Sequence, residues 1–204
     1  MIILDISANT HKNSMSYVKR MIDELVKVDS RKHEVVIKHQ LFTEAGDNIP
    51  LQLSVFDYAY WYAEQQGYQT TASVFDTESL YFLLSYDIPF VKIANNMDLY
   101  YLAEKVPNDI PVIVSIGYPC GVTADIENKR ELMCVSEYPA KAEQYEERFG
   151  QFFLRDGISD HTTDFYLWHM YSPVIYECHY KLADSTGLDA GDFARTPDAL
   201  SEIL

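Results

Sequence analysis

Cysteine is scarce in this chain: Cys120, Cys134 and Cys178 are the only three in 204 residues, with no CxxC pair and an odd count. That usage argues against a disulfide framework and for a reducing compartment, so a cytoplasmic location is expected. No apolar run approaches the ~20 residues that a membrane span needs. The start, Met1-Ile2-Ile3-Leu4-Asp5, lacks the basic region of a signal peptide and reads as a first strand. Positive charge is also in short supply, with 16 Lys and Arg against 31 Asp and Glu, a formal net charge of −15. Such a surface repels nucleic acid and anionic lipid, so neither is expected as a partner, and an anionic substrate would have to be held by a few local cations. Glycine-rich phosphate loops are missing as well. Neither GxGxxG nor GxxxxGK occurs, which counts against an open, doubly wound nucleotide-binding sheet.

What is present is a regular alternation. The length suffices for one substantial core but not for two ordinary domains and a linker, and no repeat or low-complexity tract divides the chain, so a single domain over 1–204 is expected. Short β-rich runs at 2–6, 34–40, 69–74, 90–94, 112–116, 131–136, 152–158 and 174–179 read as strands. Between them lie segments of helical period. The clearest has Val18, Met21, Ile22, Leu25 and Val26 on one face and Lys19, Arg20, Asp23 and Glu24 opposite. Others are expected at 54–66, 78–86, 98–105, 141–149, 164–171 and 197–204. Residues 117–130 carry Gly117, Pro119 and Gly121 with little apolar period, so the helix after the fifth strand should be shortened or missing. Eight strand–helix units imply parallel strands with outside crossovers, hence a compact (β/α)8 TIM barrel.

Polar residues interrupt the apolar runs near the C-terminal ends of the strands: Asp5, then Lys38 and Gln40, Ser73, Lys92, Ser115, Ser136, Asp160 with His161, and Glu177 with His179. In a barrel these ends converge on one mouth, where this fold places its catalytic groups. Lys38 in EVVIKHQ and Lys92 in FVKIAN sit among β-branched and aromatic neighbours. A buried ammonium must be paired or must reach a polar cavity. Each lysine alone could be paired with a barrel carboxylate; two, with Ser73 and Ser115 at neighbouring ends, suggest a cradle for phosphate and carboxylate. His161 and His179 end consecutive strands and could share one metal ion with carboxylates completing the shell, although either alone would serve as a structural histidine. His11, His33, His39 and His169 lack such company.

The runs SVFDTESLYFL, IPFVKIANN, PVIVSIG, CVSEYPAK, GISDHT and YECHY, preceded by IILDISAN and VVIKHQ, occur in one order along the chain. In that order they resemble the catalytic barrel of the sialic acid (N-acetylneuraminate) synthase family, the phosphoenolpyruvate-dependent synthases of nonulosonates. The resemblance implies C–C bond formation between phosphoenolpyruvate and the aldehyde of an amino sugar, and it leaves a homodimer open. It implies that Lys38 and Lys92 bind phosphoenolpyruvate with hydroxyls from Ser73, Ser115, Ser136 and Ser159, and that His161 and His179 hold a divalent ion, Mn²⁺ or Mg²⁺. Gln40, Asn95 and Tyr138 fall on substrate-side positions of the motifs, and Asp189 matches an aspartate that contacts the acceptor. Asp5, Asp160 and Glu177 are the candidates for proton transfer.

The wording departs from the family in places. Asp5 stands for a glutamate, Asn95 for a serine, Met133 for a histidine and Cys178 for Lys or Arg. The chain ends at Leu204, so the resemblance is to the barrel without the family's C-terminal antifreeze-like domain. A catalytically inactive barrel that binds a ligand or partner, and another metal-dependent barrel chemistry such as an aldolase or lyase, are the alternatives.

Overall fold

Side chains alternate between the two faces of a strand, so each strand of a closed sheet presents one row inward and one outward. The computed structural model describes residues 1–30, 34–117, 128–149 and 156–204. Its strands are β1 (Ile2–Asp5), β2 (Val35–Leu41), β3 (Gln69–Val74), β4 (Val91–Ile93), β5 (Val112–Ile116), β6 (Lys129–Cys134), β7 (Gly157–Asp160) and β8 (Ile175–His179). The helices are α1 (Ala8–His11), α2 (Met15–Val28), α3 (Leu53–Gln65), α4 (Thr77–Leu83), α5 (Ala142–Phe149), α6 (Tyr166–Tyr171) and α7 (Pro197–Leu200). Every strand pairs in parallel with its sequence neighbours and β1 closes on β8, giving the eight-stranded barrel expected.

The rows divide the core in two. Ile3, Val36, Phe90, Ile113, Leu132 and Ile175 form one buried cluster at the N-terminal end, the apolar floor of the barrel. Their outward neighbours, among them Ile2, Leu4, Ile37, Ala72, Val91 and Val114, join Met21, Ile22 and Leu25 of α2 and Phe56 and Ala59 of α3 in the larger cluster. Each large apolar side chain buried in these layers contributes roughly 2 kcal/mol. Local signals set the helix starts. Ser14 caps α2 by accepting from Tyr17 N, and Asp76 caps α4 by accepting from Ser79 N at 2.7 Å. At Gly157 a Cβ would lie 1.9 Å from the Ile175 carbonyl, so only glycine lets β7 and β8 approach as they do.

Several boundaries differ from expectation. The seventh strand is Gly157–Asp160 and not 152–158, of which residues 152–155 lie outside the described residues. Residues 97–105 form a 3₁₀ helix, and the last helix stops at Leu200 and not at the terminus. The helix expected to be short or missing after β5 falls mostly on residues 118–127, outside the described residues, while Lys129 and Arg130 already belong to β6. Two short elements carried no sequence signal: α1, capped by Ser7, and the 3₁₀ turn Leu188–Ala190. No helix among the described residues is long and apolar enough to cross a membrane.

Candidate active site at the barrel mouth

Above the apolar floor the inward rows turn polar. The strand ends enclose a cavity of about 510 Å³. All but one of the residues singled out from the sequence line it, spread over all eight strands and the loops above them. The exception is Asp160. It follows inward-facing Ser159 by one residue and therefore points to the outer face of the sheet, where it accepts from Tyr176 Oη at 2.6 Å and pairs with Arg195 at 3.3 Å. Period two, applied to the correct strand boundaries, separates Ser159 from Asp160; with the strand placed too early that distinction was lost.

Deepest in the cavity lie two buried ammonium groups. Lys38 Nζ donates to Asp5 Oδ2 at 2.7 Å and to Ser73 Oγ at 3.1 Å. Lys92 Nζ donates to Ser115 Oγ at 2.7 Å and to the Ile93 carbonyl at 3.1 Å. Glu177 sits between them, Oε1 3.7 Å from Lys38 and Oε2 3.7 Å from Lys92, and accepts from Ser159 Oγ at 2.9 Å. Burial opposes ionisation of every member, and the mutual pairing decides each outcome. At Asp5 burial is outweighed by the Lys38 ammonium, by His179 and by hydrogen bonds from Lys38 and Gln40, which hold the carboxyl at about 2. Lys38, between Asp5 and Glu177, is held above the ordinary lysine range. Lys92 goes the other way: burial pulls it down, and Lys38 repels it while Glu177 offsets only part. Among the described residues, Asp5 Oδ1, Glu177 Oε2 and His179 Nδ1 are buried without a hydrogen-bond partner. Such atoms are costly unless something fills the cavity.

Nearer the opening stand the two imidazoles, with ring centroids 5.5 Å apart. His161 Nδ1 contacts the Val135 carbonyl at 2.7 Å. A carbonyl can only accept, so the proton is on Nδ1 and the Nε2 lone pair is left for another partner, an arrangement common to metal-bound histidines. Burial and the neighbouring His179 push this ring down to about 3, so it is neutral. His179 Nδ1 lies 3.9 Å from both Asp5 and Asp189. The pair fits a divalent ion in part: two imidazoles face one space, but among the described residues no group of three or more His, Cys, Asp or Glu side chains converges as a ligand set. Water and substrate oxygens would have to complete the shell.

The remaining residues shape the rim. Asn95 is held at both ends, accepting from Gly117 N at 2.7 Å and donating to Ser136 Oγ at 2.8 Å, so it ties the ends of β4, β5 and β6 together. Tyr138 stands 4.3 Å from His161, centroid to centroid, and 54% of it is exposed at the opening. Asp189 is fixed from across the chain, since Ser7 Oγ and Asn9 Nδ2 both donate to its Oδ2, the latter at 2.7 Å. That placement requires Gly187, which has φ +120° and leaves no room for a Cβ, with the Asn9 carbonyl 2.1 Å from where it would be. Residues not anticipated also line the cavity, namely Asn48, Phe75, Ala94, Cys134, Leu188 and Phe193. Cys134 and Phe75 extend the inward rows of Leu132 and Ser73 by two residues and could have been found by parity. Phe193, stacked edge-on to His179 at 5.0 Å, comes from a loop that gave no periodic signal.

A sheet-lined cavity of this kind, with two buried cations below and two imidazoles above, can bind a small anion and hold a second polar molecule over it. Comparisons agree with the fold. The N-acetylneuraminic acid (sialic acid) synthetase of Leptospira borgpetersenii serovar Hardjo-bovis, solved with citrate, superposes with a TM-score of 0.77 at 20% identity, over 98% of this chain and 80% of that one. The spore coat polysaccharide biosynthesis protein spsE of Bacillus subtilis gives 0.76 at 18% identity, over 99% of this chain and 65% of that one. A truncated 3-deoxy-D-arabino-heptulosonate 7-phosphate synthase of Thermotoga maritima gives 0.69 at 10% identity, over 99% and 82%. No curated protein matches the chain by sequence. A family model does match, across residues 17–171, three quarters of the chain and every strand from β2 to β7, and on that match the chain belongs to the NeuB family.

Proposed function

We propose that this chain is a phosphoenolpyruvate-dependent synthase that joins phosphoenolpyruvate to the aldehyde carbon of an open-chain amino sugar. The observation that carries the reading is the pair of buried ammonium groups, Lys38 and Lys92, each beside a serine hydroxyl at the base of the cavity, with His161 and His179 above them. Low-dielectric walls strengthen the attraction of those ammonium groups for an anion, although Asp5 and Glu177 lie beside them and balance their charge. Phosphate and carboxylate of phosphoenolpyruvate match two cations and a ring of hydroxyls from Ser73, Ser115 and Ser159, with Ser136 above.

In the proposed reaction the enol carbon of phosphoenolpyruvate attacks the acceptor aldehyde, forming the new C–C bond and an oxocarbenium centre. Water adds there, and the C–O bond to phosphate breaks, leaving a 2-keto acid and inorganic phosphate. Holding both reactants in attack geometry is the main task of the lysines and hydroxyls, and positioning of that kind is worth up to about 7–11 kcal/mol of a barrier. Glu177 and Asp5 face the cavity with an unpartnered oxygen each and are placed to take the proton of the attacking water and to return one to the new hydroxyl. Asp160 drops out of this role because it faces away. A divalent ion, Mn²⁺ or Mg²⁺, would be held by His161 and His179, and when bound it supplies Lewis acidity at the acceptor carbonyl. The neighbours point the same way, since two of them are named for sugar-acid synthesis.

The test is phosphate release from phosphoenolpyruvate with Mn²⁺ and a panel of hexosamine and short aldehydes. Turnover with at least one aldehyde, abolished by His161→Ala, is expected. Binding of phosphoenolpyruvate and metal without turnover on any aldehyde would mark the chain as a silent binding barrel, and absence of both would overturn the reading.

A further inference from the structure

Two histidines away from the mouth, His11 and His39, take no part in the proposed reaction. Along the sequence neither has company; the fold supplies it. Lys38 faces the cavity, so by strand parity His39 of β2 faces the outer layer, where its ring meets Phe56 of α3 edge to face at 5.4 Å. His11 is the last residue of α1, the single turn after β1, which Lys12 ends in the left-handed conformation with φ 51°. Both rings are buried, with centroids 6.4 Å apart and planes at 75°. All four of their nitrogens lack a hydrogen-bond partner among the described residues. A buried imidazole ordinarily gives its N–H to an acceptor, as His161 does with the Val135 carbonyl. Burial pushes His11 down to about 4 and His39 to about 3, so both rings are neutral near pH 7 and each keeps one nitrogen lone pair.

Spacing and charge together select what could join them. Metal–nitrogen bonds of about 2 Å put two imidazoles that share an ion roughly 6 Å apart, centroid to centroid, when ring, ion and ring are collinear, and roughly 5 Å apart at a tetrahedral angle. The observed spacing matches the collinear case. Among the described residues no third His, Cys, Asp or Glu side chain converges on the pair. The carboxylate whose field reaches His39 is that of Asp5, which belongs to the cavity side and is committed to Lys38 at 2.7 Å. A divalent ion held here by two neutral rings would keep most of its charge uncompensated in an apolar layer, a cost that falls steeply for a single charge. We infer that His11 and His39 form a two-coordinate site for a soft monovalent cation, Cu⁺ by chemical class. Because α1 is one turn long, its local opening suffices to admit the ion. The site lies on the opposite face of β2 from the lysines and does not depend on the synthase reading.

Ring-nitrogen NMR on the full chain, labelled with ¹⁵N-histidine and kept anaerobic, tests it by titration with Ag⁺, a redox-inert probe, and then with Cu⁺. The thiols of Cys120, Cys134 and Cys178 also take up soft ions, so the ring signals and not total uptake are the readout. One nitrogen signal of His11 and one of His39 are expected to shift together and reach a common endpoint. Zn²⁺ at the same concentration should leave both rings unmoved. His39→Phe should abolish the shift at His11, and His11→Phe the shift at His39, each lowering the affinity of the site by about 10²-fold or more. Should either variant fold poorly, the paired shift in the unsubstituted chain still decides. Rings indifferent to both Ag⁺ and Cu⁺ would overturn the inference and leave a bridging water as the partner of those nitrogens. Zn²⁺ moving the pair as readily as Ag⁺ would overturn the monovalent, two-coordinate assignment.

Discussion

Two buried ionic clusters lie on opposite faces of the same sheet, separated by a single strand layer. On the outer face, Asp160 receives Tyr176 Oη and Thr162 N and pairs with Arg195, whose guanidinium also donates to the carbonyls of Thr162, Phe193 and Asp164. On the inner face, Lys38, Lys92, Asp5 and Glu177 are equally buried, yet one oxygen of each acid and one nitrogen of His179 go without a hydrogen-bond partner among the described residues. Charge and burial therefore do not distinguish a structural cluster from a functional one. Satisfaction does. Both oxygens of Asp160 are used to hold the β7–α6 loop against the segment that carries Phe193, whereas the inner acids keep capacity in reserve for a ligand.

The contrast can be broken from either side. Arg195→Met strands the Asp160 charge, and unfolding by denaturant should show a loss of about 3–5 kcal/mol, most of it recovered on adding Asp160→Asn. A loss near zero would mean that the outer cluster does not brace the fold. Lys92→Ala should act in the opposite sense, lowering phosphoenolpyruvate affinity on the order of 10²-fold while the unfolding midpoint stays level or rises, because that ammonium is incompletely compensated. A fall in midpoint with unchanged affinity would make Lys92 structural.

A third expectation concerns acid. His39 is fully buried between His11 and Phe56, with neither ring nitrogen hydrogen-bonded among the described residues, and burial followed by repulsion from His11 pushes it down to about 3. Its folded value lies below the unfolded one near 6.5, so the unfolded chain gains the proton first. Stability from this ring is whole above pH 6.5 and drains away as pH falls toward 3, by roughly 1 kcal/mol per pH unit. His39→Leu should flatten that slope in pH-dependent unfolding; an unaltered slope would exclude His39 as its source. The smallest effect is expected at the rim. Asn95→Ser restores the family's residue but cannot span from Gly117 N to Ser136 Oγ, costing ~1 kcal/mol of stability in thermal unfolding. Phosphoenolpyruvate affinity should shift less than about three-fold, and a larger shift would place Asn95 on the ligand.

Most of this architecture was legible because both signals are local. Alternation of β-rich and helical periods located eight units, and a polar residue at each strand end located the mouth. What escaped was set by neighbours distant in the chain. The turn Leu188–Ala190 exists because Ser7 and Asn9, some 180 residues earlier, hold Asp189. Phe193 reaches His179 because Arg195 lies along β8's extension, its amide donating to the His179 carbonyl at 2.8 Å. No window of sequence contains both partners of the first contact, and the loop between His179 and Phe193 carries no period that would announce the second. Asp160 was misplaced for a smaller reason, since a strand boundary drawn five residues early removes the parity that divides it from Ser159.

The apolar floor made by Ile3, Val36, Phe90, Ile113, Leu132 and Ile175 has a kinetic corollary. A tube stoppered at its base is entered and left by the same doorway, here framed by the exposed Tyr138 and Leu188. Whatever reaches the lysines first is roofed over by whatever follows, so residues of the doorframe govern how quickly molecules come and go far more than how tightly they are held.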